Sequence, residues 1–189
     1  MSFAVCAIAL LCLVSVSCST PLTCDDLVRP LDQVDLSHLE GGWALVAGTL
    51  MDPVYLERYK TRHSAMIKFS QASDNSSILM DRLFLFDDGC EYFASNFTLE
   101  GSSYTSKRSN LTVTFMQTSC PDCLLMRFVD SGKLRNMYLF SRRREVEQKD
   151  MEEFRAQSKC VKGLPPAMMD PTKELCPDRP SDQPALESQ

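Results

Sequence analysis

The chain is short of the residues on which most catalytic and metal chemistry depends. Its 189 residues include two histidines, His38 and His63, neither of them part of a nucleophile motif. It has no Gly-x-Ser-x-Gly elbow, no helix with paired histidines and no glycine-rich phosphate loop, which argues against hydrolase, zinc-protease and nucleotide chemistry. A structural zinc would need a second cysteine pair beside Cys120-Pro121-Asp122-Cys123, and none stands at a matching spacing. The doublets Asp25-Asp26 and Asp87-Asp88 read as arm and turn carboxylates, not as an acid–base pair. No enzyme, metal or cofactor is therefore expected. Positive charge is also scarce: the net charge is −5, and Arg142-Arg143-Arg144 is a short basic run that reads as a solvated strand end. Nucleic acid is a poor partner for such a chain. Long apolar stretches are missing except at the start. Residues 3–14 form one continuous run, of secretory-signal length and well short of the ~20 residues that cross a membrane. Residues 1–19 are expected to be a signal peptide cut between Cys18 and Thr20; retention as an anchor is the alternative.

The mature chain of about 170 residues is enough for one domain with a sizeable core. It keeps six cysteines: Cys24, Cys90, Cys120, Cys123, Cys160 and Cys176. An even number behind a signal points to disulfides, and the residues alone leave the pairing open. Three sequons, at Asn75, Asn96 and Asn110, suggest a secreted glycoprotein with these side chains pointing outward. The Cys-x-x-Cys motif has the spacing of thiol oxidoreductases, but it falls between two strand-like runs with Pro and Asp in turn positions. A hairpin disulfide fits that setting better.

Residues 20–40 read as an irregular arm with a short helical turn near 32–36. The only tryptophan follows in Gly41-Gly42-Trp43-Ala44-Leu45-Val46-Ala47-Gly48, glycines and a lone Trp opening a strand-like run. Asp52-Pro53 fits a capped helix over 53–60. Strand patterns then recur at 64–70, 77–86, 90–99, 102–107, 110–118, 124–130 and 134–141, separated by turn residues. With the Trp43 strand this makes about eight short antiparallel strands, the pattern of an up-and-down barrel or a sandwich. If Asn96 and Asn110 carry glycans, period-two alternation turns Phe93, Ser95, Phe97 and Leu99 inward on one strand and Leu111, Val113 and Phe115 inward on another. Met126, Phe128, Tyr138 and Phe140 are expected to join them. Residues 145–159 read as an amphipathic helix with Met151, Phe154 and Val161 on its apolar stripe. Residues 177–189 are proline-rich and expected to be a disordered tail.

Gly41-x-Trp43 on a first strand, then Asp88-Gly89-Cys90, Ser119-Cys120-Pro121, Tyr138-Leu139-Phe140-Ser141-Arg142 and Glu152-Glu153-Phe154-Arg155, together resemble the lipocalin family. The likeness is greatest to the subgroup of alpha-1-acid glycoprotein, apolipoprotein M and fish toxin-binding relatives, and it spans about Cys24 to Cys176. The resemblance implies an all-β, eight-stranded antiparallel lipocalin barrel over residues 20–176 with one helix packed outside. It implies disulfides Cys24–Cys160 and Cys90–Cys176, which leaves Cys120 to pair with Cys123. It also implies that Arg142 lies over the Trp43 ring at the closed end, beside Gly41. The chain is then expected to be a secreted, monomeric carrier. Its ligand would be a small hydrophobic or amphipathic molecule (lipid, steroid, drug or toxin) lined by Phe93, Ser95, Phe97, Arg108, Leu111, Val113, Phe115, Met126, Phe128 and Tyr138. Relatives bind a lipid phosphate, for which Arg108, Arg127 and Arg135 would be the candidate cations here, while Phe93 and Ser95 stand where a basic or large aromatic residue would strengthen that case. A lipoprotein particle or a cell-surface receptor would be a further partner. The alternative is an acute-phase or immunomodulatory plasma glycoprotein acting through its surface and glycans; a lipid-converting enzyme is a third reading.

Overall fold

The computed structural model describes residues 22–72, 77–106, 109–180 and 186–187. The expected signal segment, Asn75 and Arg108 lie outside them. The arm is more ordered than its prolines suggest. Helix α1 (Cys24–Leu27) starts from a capping box in which Thr23 and Asp26 bond reciprocally, and α2 (Leu36–Leu39) is capped by Asp35. A short polar side chain at each start satisfies amide donors that the helix itself leaves free.

Eight antiparallel strands follow: β1 (Gly41–Leu50), β2 (Ser64–Gln71), β3 (Ile78–Phe86), β4 (Gly89–Phe97), β5 (Ser103–Ser106), β6 (Leu111–Met116), β7 (Cys123–Asp130) and β8 (Lys133–Ser141). Helix α3 (Pro53–Lys60) separates β1 from β2, with Asp52 as its cap and proline at its start. Helix α4 (Gln148–Cys160) comes last. The sheet runs in the order β4-β3-β2-β1-β8-β7-β6-β5, so that β1 pairs with both β2 and β8 and the sheet curls around one interior. β4 and β5 form no ladder with each other. They meet only near the 98–102 turn, where Glu100 bridges Ser103 and the rings of Phe97 and Tyr104 stack at 4.0 Å. Two short pieces complete the sheet: β9 (Ala167–Met168) beside β1 and β10 (Leu186–Glu187) parallel to β4 at Phe93 and Ala94.

Alternation along each strand separates an inner from an outer set. The inner cluster joins Trp43, Leu45, Ile67, Phe69, Met80, Phe97, Tyr104, Val113, Phe115, Met126 and Phe140. The outer cluster packs Val46, Ala47, Met116, Leu125, Met137 and Leu139 against Met151 and Phe154 of α4. A bulge between Leu45 and Ala47, opposite β8, lets the consecutive Val46 and Ala47 both face α4, as an extra residue in one strand re-aims its neighbours. Cys120 and Cys123 belong to this outer cluster and are bonded to each other across the turn between β6 and β7. Cys24–Cys160 ties the arm to the end of α4, and Cys90–Cys176 ties the C-terminal segment to β4. That segment crosses the outside of β2 and β3, where Ser64 donates to the Glu174 carbonyl, Lys68 pairs with Asp178 and Arg179 faces Asp81.

Candidate functional site

The barrel is closed at the end where β1 begins. Trp43 is fully buried, and its Nε1–H donates to the Leu39 carbonyl at 2.8 Å, fixing α2 across the base. The Arg142 guanidinium lies 3.7 Å from the indole centroid. It donates to the carbonyls of Gly42 at 3.0 Å and of His38 and Glu40 at 2.6 Å. Gly41 adopts φ +95° there, and a Cβ on it would come 3.0 Å from Arg142 Nη1. Only a residue without a side chain combines that backbone conformation with so close a cation. Burial holds the Arg142 pKa below its usual value, against the opposing pull of Asp122.

At the other end α3 lies over the mouth. Tyr59 points inward from it, 1 % exposed, and stacks on Tyr138 with centroids 5.8 Å apart. Its hydroxyl donates to the Ala167 carbonyl. The pair fits because β1 carries Gly48 beneath it: a Cβ there would lie 2.7 Å from Tyr138 and 2.8 Å from Tyr59. His63, at the start of β2, pairs with Asp87 at 2.7 Å and so links the corner after α3 to the β3–β4 turn.

Every described residue of the expected lining lies on the inner wall. Phe97, Val113, Phe115 and Met126 are buried in the inner cluster, while Leu111, Phe128 and Tyr138 pack half-buried against it. Phe93 lies 5.7 Å from Phe84, and Ser95 shares the inner face with Phe93 and Phe97, paired with Met80. Two of the candidate cations do not join them. Arg127 alternates with the inward Met126 and Phe128 and so falls on the outer face. Arg135 is held at the rim by Asp130 at 3.1 Å, with Tyr55 under its guanidinium. Asn96 and Asn110 are both exposed, and Asn110 takes a left-handed φ of 51°, which asparagine tolerates better than most residues.

The cations inside the barrel are others. Arg82 of β3 shares the inner face with Met80 and Phe84 and lies 5.7 Å from the Phe93 ring. Arg62, just before β2, covers Phe84 at 4.5 Å and Tyr59 at 5.9 Å. Arg82 Nε and Nη2 and Arg62 Nε are buried without a hydrogen-bond partner. Burial lowers the Arg82 pKa and the neighbouring Arg62 charge lowers it further, while Tyr104 works the other way. Burial in turn pushes the hydroxyls of Tyr59, Tyr104 and Tyr138 well above the usual phenol range. The Asn136 carboxamide oxygen, on the same face as Tyr138 and Phe140, is also buried without a partner. Glu91 shares the inner face with Phe84 and Phe93, yet forms no ion pair with either arginine among the described residues. The sequence signal for Arg82 was the alternation Met80-x-Arg82-x-Phe84, which places the arginine among inward side chains. No cluster of acidic, histidine or cysteine side chains fit for a metal is found among the described residues.

A separate cavity of about 340 Å³ opens at the base, between α2 and the ends of β2, β3 and β4. Leu39, Phe69, Ile78 and Leu99 form its apolar walls.

Comparison with known proteins agrees with this architecture. No curated protein matches the sequence. Among solved structures, one described as the siderocalin Ex-FABP, which "functions through dual ligand specificities", superposes with a TM-score of 0.64 at 19% identity, over 75% of this chain and 99% of that one. Siderocalin Q83, described as revealing a dual ligand binding mode, gives 0.64 at 21% identity, over 75% of this chain and 95% of that one. At such identities the likeness establishes the fold. The family model described as the ApoM domain matches residues 37–176, most of the chain, and with the tryptophan-sealed base, the curled eight-stranded sheet and the outer helix it establishes that this protein belongs to the ApoM domain family of lipocalins.

Proposed function

We propose that the protein is a secreted carrier that holds one small amphipathic molecule inside the barrel, its apolar part among the inner rings and an acidic head on Arg62 and Arg82. The observation that carries this reading is the pair of like charges with buried, unpartnered N–H groups. Two guanidinium groups near enough to act on each other in an aromatic interior repel and lose hydration, and an anion between them would relieve both costs. The rings supply the large apolar contact typical of lipocalin-sized cavities. Reversible capture requires no bond making, so the reading is of a binding protein, not an enzyme. Secretion is part of the same proposal, supported by the apolar stretch at residues 3–14, three disulfides and the exposed sequon residues Asn96 and Asn110.

Calorimetric titration with palmitate, hexadecanol and hexadecylamine tests it, because the three share one tail. The acid is expected to bind about tenfold or more tighter than the alcohol, since a hydrogen bond to a charged group contributes roughly 1.5–3 kcal/mol. Arg82→Gln is expected to erase that difference and leave the alcohol's affinity in place. Equal binding of all three would remove the acidic head from the reading and leave the carrier. No binding of any would remove the carrier itself.

A further inference from the structure

The base cavity has a composition unlike that of the barrel interior. Its walls are Leu39, Phe69, Ile78 and Leu99, with Leu36 standing 54% exposed at its edge. Ser37, Ser70, Gln71, Ser77 and Thr98 and the carboxylate-bearing Glu40 are its polar lining, and neither lysine nor arginine is among the described lining residues. The barrel interior, by contrast, carries Arg62 and Arg82. The two spaces are divided by rings. Phe69 lies 6.1 Å from Phe97 and 6.3 Å from Phe115, and Tyr104 stacks on Phe97, so a layer of four aromatic side chains stands between the base and the mouth. Arg142, the cation that caps the base, is committed to three carbonyls and the indole.

We infer that this cavity is a second binding site, independent of the barrel interior, for a small uncharged molecule that is mostly apolar with one or two hydrogen-bonding groups. Its volume of about 340 Å³ stands at the lower end of the roughly 300–1,000 Å³ of small-molecule pockets, which suits a ring system and not a long chain. An acid is disfavoured because the lining offers it no cation and sets a carboxylate at the rim. The hydroxyl groups give an uncharged guest donors and acceptors.

Trp43 lies directly behind this wall, since its indole bonds to the Leu39 carbonyl, and as the only tryptophan it reports on the base alone. The probe is the uncharged fluorophore N-phenyl-1-naphthylamine, titrated into the full-length protein with palmitate in excess. The expected result is one bound probe per chain, energy transfer from Trp43 and no competition by palmitate. Leu99→Phe, which fills the cavity, should weaken the probe about tenfold or more; Leu36→Ser, at an exposed position that leaves the core untouched, should weaken it severalfold. Neither should change hexadecanol binding in the barrel. Stoichiometric displacement of the probe by palmitate, or unchanged probe affinity in Leu36→Ser, would overturn the second site. Equal affinity for the anionic analogue 8-anilinonaphthalene-1-sulfonate, with the same Trp43 transfer, would overturn the chemical class assigned to it.

Discussion

Arg142 directs all of its contacts at the closed base: a ring face and three main-chain carbonyls from Gly42, His38 and Glu40. A lysine has no planar fork to match that set. Arg142→Ala is expected to lower unfolding free energy by about 2–3 kcal/mol, through loss of the cation–π contact and of charge-assisted bonds in a partly solvated setting. Arg142→Lys should recover only part of this. Urea unfolding followed by Trp43 fluorescence measures both, and wild-type stability in the alanine variant would rule the lid role out. The buried tyrosines act at the same scale. Tyr59, Tyr104 and Tyr138 have folded-state pKa values raised by burial above the ordinary 10.0. A raised pKa contributes stability that is complete below the unfolded value and is lost as pH climbs toward the folded one. Melting temperature should therefore hold steady to about pH 9 and fall beyond pH 10, with each such tyrosine adding a slope of up to about 1.4 kcal/mol per pH unit. Tyr104→Phe should shallow that fall, and an identical slope in the variant would refute the assignment.

At the scale of elements, α3 closes the mouth through one side chain. Tyr59 fills the space over Gly48 and rests on Tyr138, so a ligand entering from this end must move the helix or displace the ring. Tyr59→Ala is expected to cost about 3 kcal/mol or more in stability, as for other buried aromatic truncations. It should also speed palmitate release in stopped-flow exchange; release at the wild-type rate would show that entry bypasses α3. Most elements were legible beforehand because their patterns are local. Asp52-Pro53 announces α3, turn residues bound the strands, and the sequons at Asn96 and Asn110 orient β4 and β6. The interior cations were not read, for a physical reason. Arg82 follows Asp81 in a strand edged by polar residues and resembles a solvated arginine until the register of β3 against β4 sets its direction. Arg127 misled in the opposite way: its neighbours are the inward residues, and alternation puts it outside. Of the arm's helices, α1 went unread and α2 was expected a few residues early, near 32–36, because caps that act over four residues leave no periodic pattern.

For the whole molecule, the three disulfides divide the labour unequally. Cys120–Cys123 closes a separation of 3 residues, whereas Cys90–Cys176 spans 86 and Cys24–Cys160 spans 136. In the chain-entropy account the long loops constrain the unfolded state most, by about 4–5 kcal/mol each. Replacing Cys90 and Cys176 together by serine should thus destabilise far more than replacing Cys120 and Cys123. Denaturation midpoints of the two double variants compare them, and equal losses would contradict the loop-length argument.

The β4–β5 junction gives the molecule a property that a fully laddered barrel lacks. Among the described residues every neighbouring pair of the eight long strands is laddered except β4 and β5; there the rings of Phe97 and Tyr104 stack, and the short β10 pairs with the free edge of β4. Widening there would break no ladder between long strands, so a guest of larger girth would be expected to part Phe97 from Tyr104 before it repacked the opposite wall. The barrel is thus built less like a pipe than like a cuff, fastened by side chains at a single place.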